Sequence, residues 1–317
     1  MRLFEHHDFR DIVTASAEHY HLSEGVVEKD YYVTEVLRIV AGHLGDAAIF
    51  KGGTSLSKGW NLIARFSEDV DVLVRCEQGG QALGSHAVDR KLKKLCEEVR
   101  GHAGLTWIRE TSRTIGGKGR EDRFRYNSVL GAPQGLKCEV LLEAGARGGT
   151  QPTEDRQLSS LVSSYLREHT NSVVADDLAP FTMKLLHFRR TFVEKLFTIH
   201  SKVEIVVRDG GSIGSYARHY YDLYCLALLP EVTRMLQSPE YEMIREDYNR
   251  LSRLHYGRDY VAPDGLHFRD SRALFPPTQL RDSFAREYTS QCTTLCQGSY
   301  PAFDDVLKAF EAIRDSL

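Results

Sequence analysis

The sequence predicts an α+β protein in which an N-terminal mixed-sheet domain, residues 1–187, precedes a mainly helical domain, residues 188–317. Two observations predict it. Short β-type runs recur between Ile49 and Ala144, and helical spacing dominates from Arg189 onward. The change of character falls after Gly145, and no internal repeat or long low-complexity segment interrupts the chain.

The elements follow in order. Residues 9–21 carry helical spacing. Ser23 is a good N-cap for a second helix running to Leu44, with Val26, Val33, Val36, Leu37 and Val40 on its apolar stripe. Ile49–Val74 reads as a short apolar strand, a Gly-Gly-Thr-Ser turn, a helix starting at Thr54 or Ser55, and a strand carrying Asp69 and Asp71. Residues 87–101 form a charged helix with Leu92 and Leu95 inward. Strands are expected over 105–115, 123–130 and 136–144, with the Gly-Gly-Lys-Gly-Arg-Glu-Asp run at 116–122 as a flexible, basic turn. Residues 146–157 read as a loop, 158–169 as a helix and 181–188 as one more strand. Helices are then expected over 191–207, 216–229, 239–254 and 303–317, and Gly257–Pro277, rich in Gly, Pro and Asp, as a loop.

Composition narrows the class. The hydrophobic share of 42% is that of a globular protein, and no apolar run approaches a membrane span. The start, MRLFEHHDFRD, lacks a signal-peptide core. Cys292 and Cys296 have no second Cys or His pair to complete a zinc site, so the six cysteines read as reduced thiols of a cytoplasmic protein. Lys plus Arg total 41 against 44 Asp plus Glu, a formal charge of −3; any nucleic-acid-binding surface would have to be local.

Chemistry concentrates between Gly52 and Asp71. Gly52 and Gly53 let backbone amides approach an anion closely, and the following helix start adds its positive end. Gly52, Gly53, Thr54 and Ser55 therefore read as a triphosphate cradle, or as a plain strand-to-helix turn with a hydroxyl N-cap. No Gly-Lys-Ser/Thr closes it, so it is not a Walker A loop. Asp69 and Asp71 project from one side of a strand, with Val70, Val72 and Val74 on the other. Paired carboxylates on a strand this apolar call for a cation or strong donors; the alternative is a solvated edge. A two-metal site needs a third carboxylate, and the 136–144 strand offers Glu139 and Glu143 on one face. Lys195 borders the stripe Phe192, Leu196, Ile199 and Val203, either for a function or snorkelling outward beside Glu194 or Glu204. Asp222 flanks a stripe of Tyr221, Tyr224, Cys225 and Leu228 and could form a surface ion pair with Arg218. Lys58 reads as a phosphate contact or a solvated charge.

GGTSLSK followed by FSEDVD, then RTFVEKLFTIH and RHYYDLY in that order, together with EKDYYVTEVL and LLEAGAR, resembles the AbiEii/AbiGii nucleotidyltransferase toxin family, within the DNA polymerase β-like superfamily. The resemblance spans most of the chain and implies a nucleotidyltransferase core. It favours Glu143 over Glu139 as the third acid, so that Asp69, Asp71 and Glu143 hold Mg²⁺ or Mn²⁺. It assigns Lys195 with Gly52, Gly53, Thr54 and Ser55 to the nucleotide, and places Asp222 in the catalytic set, orienting Lys195 or touching substrate. It further implies transfer of NMP from an NTP to an acceptor hydroxyl with release of pyrophosphate, the acceptor being the 3′ end of tRNA, and a separately encoded antitoxin. Arg113, Lys118, Arg120, Arg123, Arg125, Arg189 and Arg190 are candidate RNA contacts, or an ordinary mixed-charge surface. Two other readings stand beside this one: an acceptor that is a protein side chain or small molecule, and a nucleotide-binding regulator with a degenerate site.

Overall fold

The computed structural model describes residues 1–67, 69–78, 81–131, 137–169 and 173–317. Two compact units emerge, one of Met1–Gly59 with Ser67–Leu185, the other of Trp60–Phe66 with Leu186–Leu317. Glu68 of the acidic motif and Leu136, where a strand was expected to begin, lie outside the described residues.

The first unit opens with α1 (Phe9–Tyr20) and α2 (Glu24–Leu44). Ser23 takes the N-cap position of α2 with extended backbone, but its side chain makes no capping bond. Helix α2 is buried nearly all round. Val27, Val33, Val36, Leu37 and Val40 form its apolar face, while Val26 is only half-buried. Glu28 and Lys29 are also fully buried. Glu28 accepts from the Ser128 hydroxyl and from the Val129 amide at 2.9 Å, and Lys29 donates to the Lys137 carbonyl at 2.9 Å. Buried charges persist only with such partners.

A mixed sheet follows. Its strands are β1 (Ala48–Lys51), β2 (Asp69–Val74), β5 (Thr106–Ile115), β6 (Gly119–Arg125), β7 (Glu139–Gly145), β8 (Thr153–Leu158) and β9 (Phe181–Leu186); β3 (Glu77–Gln78) and β4 (Gln81–Ala82) form a separate hairpin. The seven-stranded order is β5-β6-β7-β2-β1-β9-β8. Strand β2 runs antiparallel to β1 and parallel to β7. Helix α3 (Gly52–Thr54) leaves β1 directly, α4 (Ser85–Arg100) packs on β5 and β6, and α5 (Leu161–His169) packs on α1 and α2. Helix α2 itself packs on β1, β2 and β7.

Two expectations are corrected here. Residues 119–122 are the start of β6 rather than part of a turn, and Tyr126–Leu130 lies beyond its end. Arg120 and Asp122, two apart on one strand face, are buried against each other at 2.6 and 2.9 Å, and Trp107 donates to Asp122. A self-neutralised pair sits in a strand that charge alone made look like a loop. Likewise 153–157, expected in a loop, and Leu158, expected to open a helix, form the edge strand β8. An edge strand with Lys184 bridging to Asp155 at 2.8 Å needs no apolar alternation.

The second unit is helical: α6 (Phe188–Asp209), α7 (Arg218–Ala227), α8 (Pro230–Leu236), α9 (Pro239–Tyr256), α10 (Thr278–Leu295) and α11 (Phe303–Ala312). Helices α8 and α10 were not anticipated individually. The buried face of α7 is Tyr220, Tyr221, Asp222, Leu223 and Leu226 rather than the expected stripe, and Leu228 is 60% exposed. No helix among the described residues is long and apolar enough to cross a membrane.

Candidate active site

In the first unit the site begins where β1 ends. Gly52 has φ +78°, a conformation open to glycine at little cost. A β-carbon there would stand 1.9 Å from Asp71 Oδ2. Helical structure starts at Gly52, two or three residues earlier than the Thr54 or Ser55 start the sequence suggests, and widens into a π-helical turn over Ser55–Gly59. Thr54 and Ser55 are buried, and their hydroxyls donate to the Asp69 carbonyl at 2.5 Å and the Gly52 carbonyl at 2.9 Å. Their hydroxyl protons are thus committed to holding the glycine turn against the first residue of β2. Lys58 pairs with Asp30 at 2.6 Å, and Asp30 also accepts the Leu161 amide. That lysine ties the turn to α2 and α5.

Strand β2 alternates as its sequence requires. Val70 and Val72 are buried, and Asp69 and Asp71 face the other side. In the parallel register Asp71 lies opposite Glu143 and Asp69 opposite Leu141. Glu143 therefore joins the two aspartates. Glu139 instead pairs with Arg125 at 3.0 Å. Burial, then the charges of Asp71 and Asp69, push the Glu143 carboxyl up to about 8. The row continues outward. Glu121 lies opposite Glu143, Arg113 opposite Glu121 and Lys51 opposite Asp71, so three acids in one rung are flanked by a cation at each end. Arg113 grips Glu121 through two bonds, 2.8 and 3.0 Å.

Three carboxylates on neighbouring strands, one of them resisting ionisation through burial and the charges of the others, suit a hard divalent cation such as Mg²⁺. The cluster His6, His7 and Asp8 also has ligand atoms mutually within 4.8 Å, but it is a local, largely exposed run of neighbours.

In the second unit Asp222 is fully buried at the centre of a charged group. Arg65 clasps it with two bonds, 2.6 and 2.8 Å, and the Lys195 ammonium reaches it at 2.7 Å. Burial alone would raise the Asp222 carboxyl, but Arg65 and Lys195 outweigh it and hold the group well below the usual carboxylate range. Burial lowers Lys195, opposed by Asp222. His219 Nδ1 lies 3.2 Å from Lys195 Nζ. An ammonium only donates, so Nδ1 accepts and the imidazole is neutral with its proton on Nε2. Burial and the Lys195 charge push His219 down to about 3. Lys195, Arg65 and Asp222 together leave one surplus positive charge in a dry setting, which favours an anionic ligand.

Arg65 was not anticipated. The signal available was a lone cation among Ile63, Ala64 and Phe66 just ahead of the D-x-D strand. It is fixed by its neighbours: Phe66 N–H donates to Leu295, Gln297 N–H to Ala64, and Ala64 N–H to the Tyr221 hydroxyl. Asp222, read as flanking a stripe, lies within the buried face. His200 bonds Ser271 at 2.8 Å.

The candidate RNA-contacting cations are largely engaged by carboxylates. Arg113 pairs with Glu121, Arg125 with Glu139 and Arg189 with Glu240. Arg120 and Arg190 are buried, the latter held by Glu194 and Asp247. Those two are structural cations, not surface contacts.

The family model described as nucleotidyl transferase AbiEii toxin, type IV TA system, matches residues 36–309. Two solved structures align over most of the chain. MenT4, a nucleotidyltransferase toxin from Mycobacterium tuberculosis H37Rv, has 17% identity and a TM-score of 0.40, covering 96% of this chain and 95% of that one. A protein from H. pylori described as a nucleotidyltransferase has 16% identity and a TM-score of 0.37, covering 92% and 99%. No curated protein matches the chain.

Proposed function

Because the chain belongs to the AbiEii nucleotidyltransferase toxin family of type IV toxin–antitoxin systems, we propose that it transfers a nucleoside monophosphate from an NTP to the 3′ end of tRNA, releasing pyrophosphate. One observation carries the reading: Asp69, Asp71 and Glu143 share one face of adjacent strands beside the glycine turn. Asp69 and Asp71 hold Mg²⁺, with Glu143 as the third carboxylate. When bound, the ion supplies charge neutralisation at the transferred phosphoryl group and a lowered pKa for the attacking hydroxyl. The amides of Gly52 and Gly53 bind the phosphates, and Glu143 takes the proton of the attacking hydroxyl.

Lys195 places its ammonium on the phosphates, where negative charge develops. Asp222 and Arg65 position it. The test is incubation with each NTP separately, Mg²⁺ and cellular tRNA, followed by sequencing of RNA 3′ ends. Extended tRNA is expected, abolished by Asp69→Ala and Lys195→Ala; no transfer of label to any RNA or protein overturns the reading.

A second reading, transfer to a protein side chain or small molecule, is favoured by the carboxylate pairing of Arg113, Arg120 and Arg125, which reduces the cationic surface offered to RNA. A nucleotide's mass added to protein in the same incubation would decide for it. The family also implies an antitoxin partner for this chain.

A further inference from the structure

Behind Asp222 lies a group of thiols that the transfer reaction does not use. Cys292 is buried in the last turns of α10 and Cys296, half-buried, ends that helix; both are free thiols. The Cys296 amide donates to the Cys292 carbonyl at 2.8 Å, which sets the two cysteines one helical turn apart. The backbone of Cys296 pairs with that of Arg65 in an antiparallel bridge, flanked by the bonds of Phe66 to Leu295 (2.7 Å) and of Gln297 to Ala64 (2.8 Å). Arg65 in turn clasps Asp222, which holds Lys195. The thiol pair is therefore three links from the lysine, through Arg65 and Asp222.

We propose that Cys292 and Cys296 are a peroxide-sensitive pair whose disulfide displaces Arg65 and so loosens the hold of Asp222 on Lys195. The geometry supplies the displacement. Side chains four apart on a helix have β-carbons about 5–6 Å apart. A disulfide needs them at about 3.8 Å. Closing that gap moves Cys296, which stands at the helix end, and Cys296 carries the Arg65 backbone with it.

The chemistry balances with hydrogen peroxide as oxidant. One thiolate of the pair attacks a peroxide oxygen, the O–O bond breaks, and a sulfenic acid forms as hydroxide leaves and takes up a proton. The second thiol attacks that sulfur, its proton passes to the departing oxygen, the S–O bond breaks and water leaves. Two thiols and one peroxide give one disulfide and two waters. The two electrons lost by sulfur reduce the peroxide.

The consequence for activity rests on the role given to Lys195 above, so the test reads the lysine directly. The full chain is treated with hydrogen peroxide or left reduced. Peptide mass spectrometry then locates the disulfide, and brief acylation with acetic anhydride measures the labelling rate of Lys195. A Cys292–Cys296 link is expected, with a several-fold rise in Lys195 labelling that dithiothreitol reverses. Cys296→Ser protein should show neither the link nor the rise, and Cys292→Ser, the more buried change, provides a second variant. Absence of the link, a link to the nearby Cys225 instead, or a link that leaves Lys195 labelling unchanged overturns the proposal. In a parallel arm, nucleotide transfer should fall with the link. Reduced protein that transfers nothing would refute the reading of the site, while mass and labelling would still decide the thiol switch.

Discussion

Asp71 Oδ2 occupies the place where a β-carbon on Gly52 would stand, 1.9 Å away. One residue thus keeps a backbone conformation and a carboxylate position at once. Gly52→Ala must meet strain at φ +78°, about 1–3 kcal/mol, and must also push Asp71 out of line with Glu143. The expected result is a transfer rate lowered at least 100-fold with a modest loss of stability, checked by single-turnover assay and urea unfolding. Full activity in a folded Gly52→Ala protein would remove Asp71 from the site.

The crowding of Asp69, Asp71 and Glu143 predicts that divalent metal stabilises the fold. Mg²⁺ at 100 times its dissociation constant should add about 2.7 kcal/mol to unfolding stability. Glu143→Gln should lose most of that increment, because one of three ligands becomes neutral. Thermal unfolding with and without Mg²⁺ and after chelation measures it; equal metal stabilisation of both proteins would show that Glu143 is not a ligand.

How much of this was legible in the sequence follows from which interactions are local. Strand β2 was legible because Asp and Val alternate with period two, and β1 because an apolar run meets a glycine pair. Glu143 could not be separated from Glu139 by spacing, since both fall on one face of β7. Cross-strand register separates them, placing Glu143 opposite Asp71 and leaving Glu139 to Arg125. Arg65 and Asp222, 157 positions apart, neutralise each other inside the second unit. No local pattern reveals a charge whose compensation arrives from so far along the chain. Strand β8 escaped notice for a related reason: an edge strand held by backbone pairing and Lys184 carries little apolar alternation.

The Arg65–Asp222–Lys195 group predicts opposite effects for its members. Asp222→Asn leaves two buried cations without their anion and should cost about 3–5 kcal/mol. Lys195→Met removes the surplus charge and replaces a desolvated ammonium with a thioether. It should leave stability within about 1 kcal/mol of wild type while lowering transfer at least 100-fold. Denaturant unfolding beside transfer kinetics checks both. A Lys195→Met protein as unstable as Asp222→Asn would make the lysine a structural residue.

His219 gives the fold a pH dependence of known sign. Its folded pKa, about 3, lies below the unfolded value of 6.5, because burial and the Lys195 ammonium disfavour a second positive charge. Between these values the unfolded chain binds the proton more tightly. Stability from this group is therefore complete above pH 6.5 and is lost as pH falls toward 3. The contribution between pH 7 and pH 5 is about 2 kcal/mol. His219→Gln, uncharged at both pH values, should be less sensitive to acidification by that amount. Urea midpoints at pH 7 and pH 5 measure the difference. Parallel losses in wild type and variant would mean that His219 takes up its proton as readily in the folded protein as in the unfolded chain, and the acceptor role assigned to its Nδ1 would fall with it.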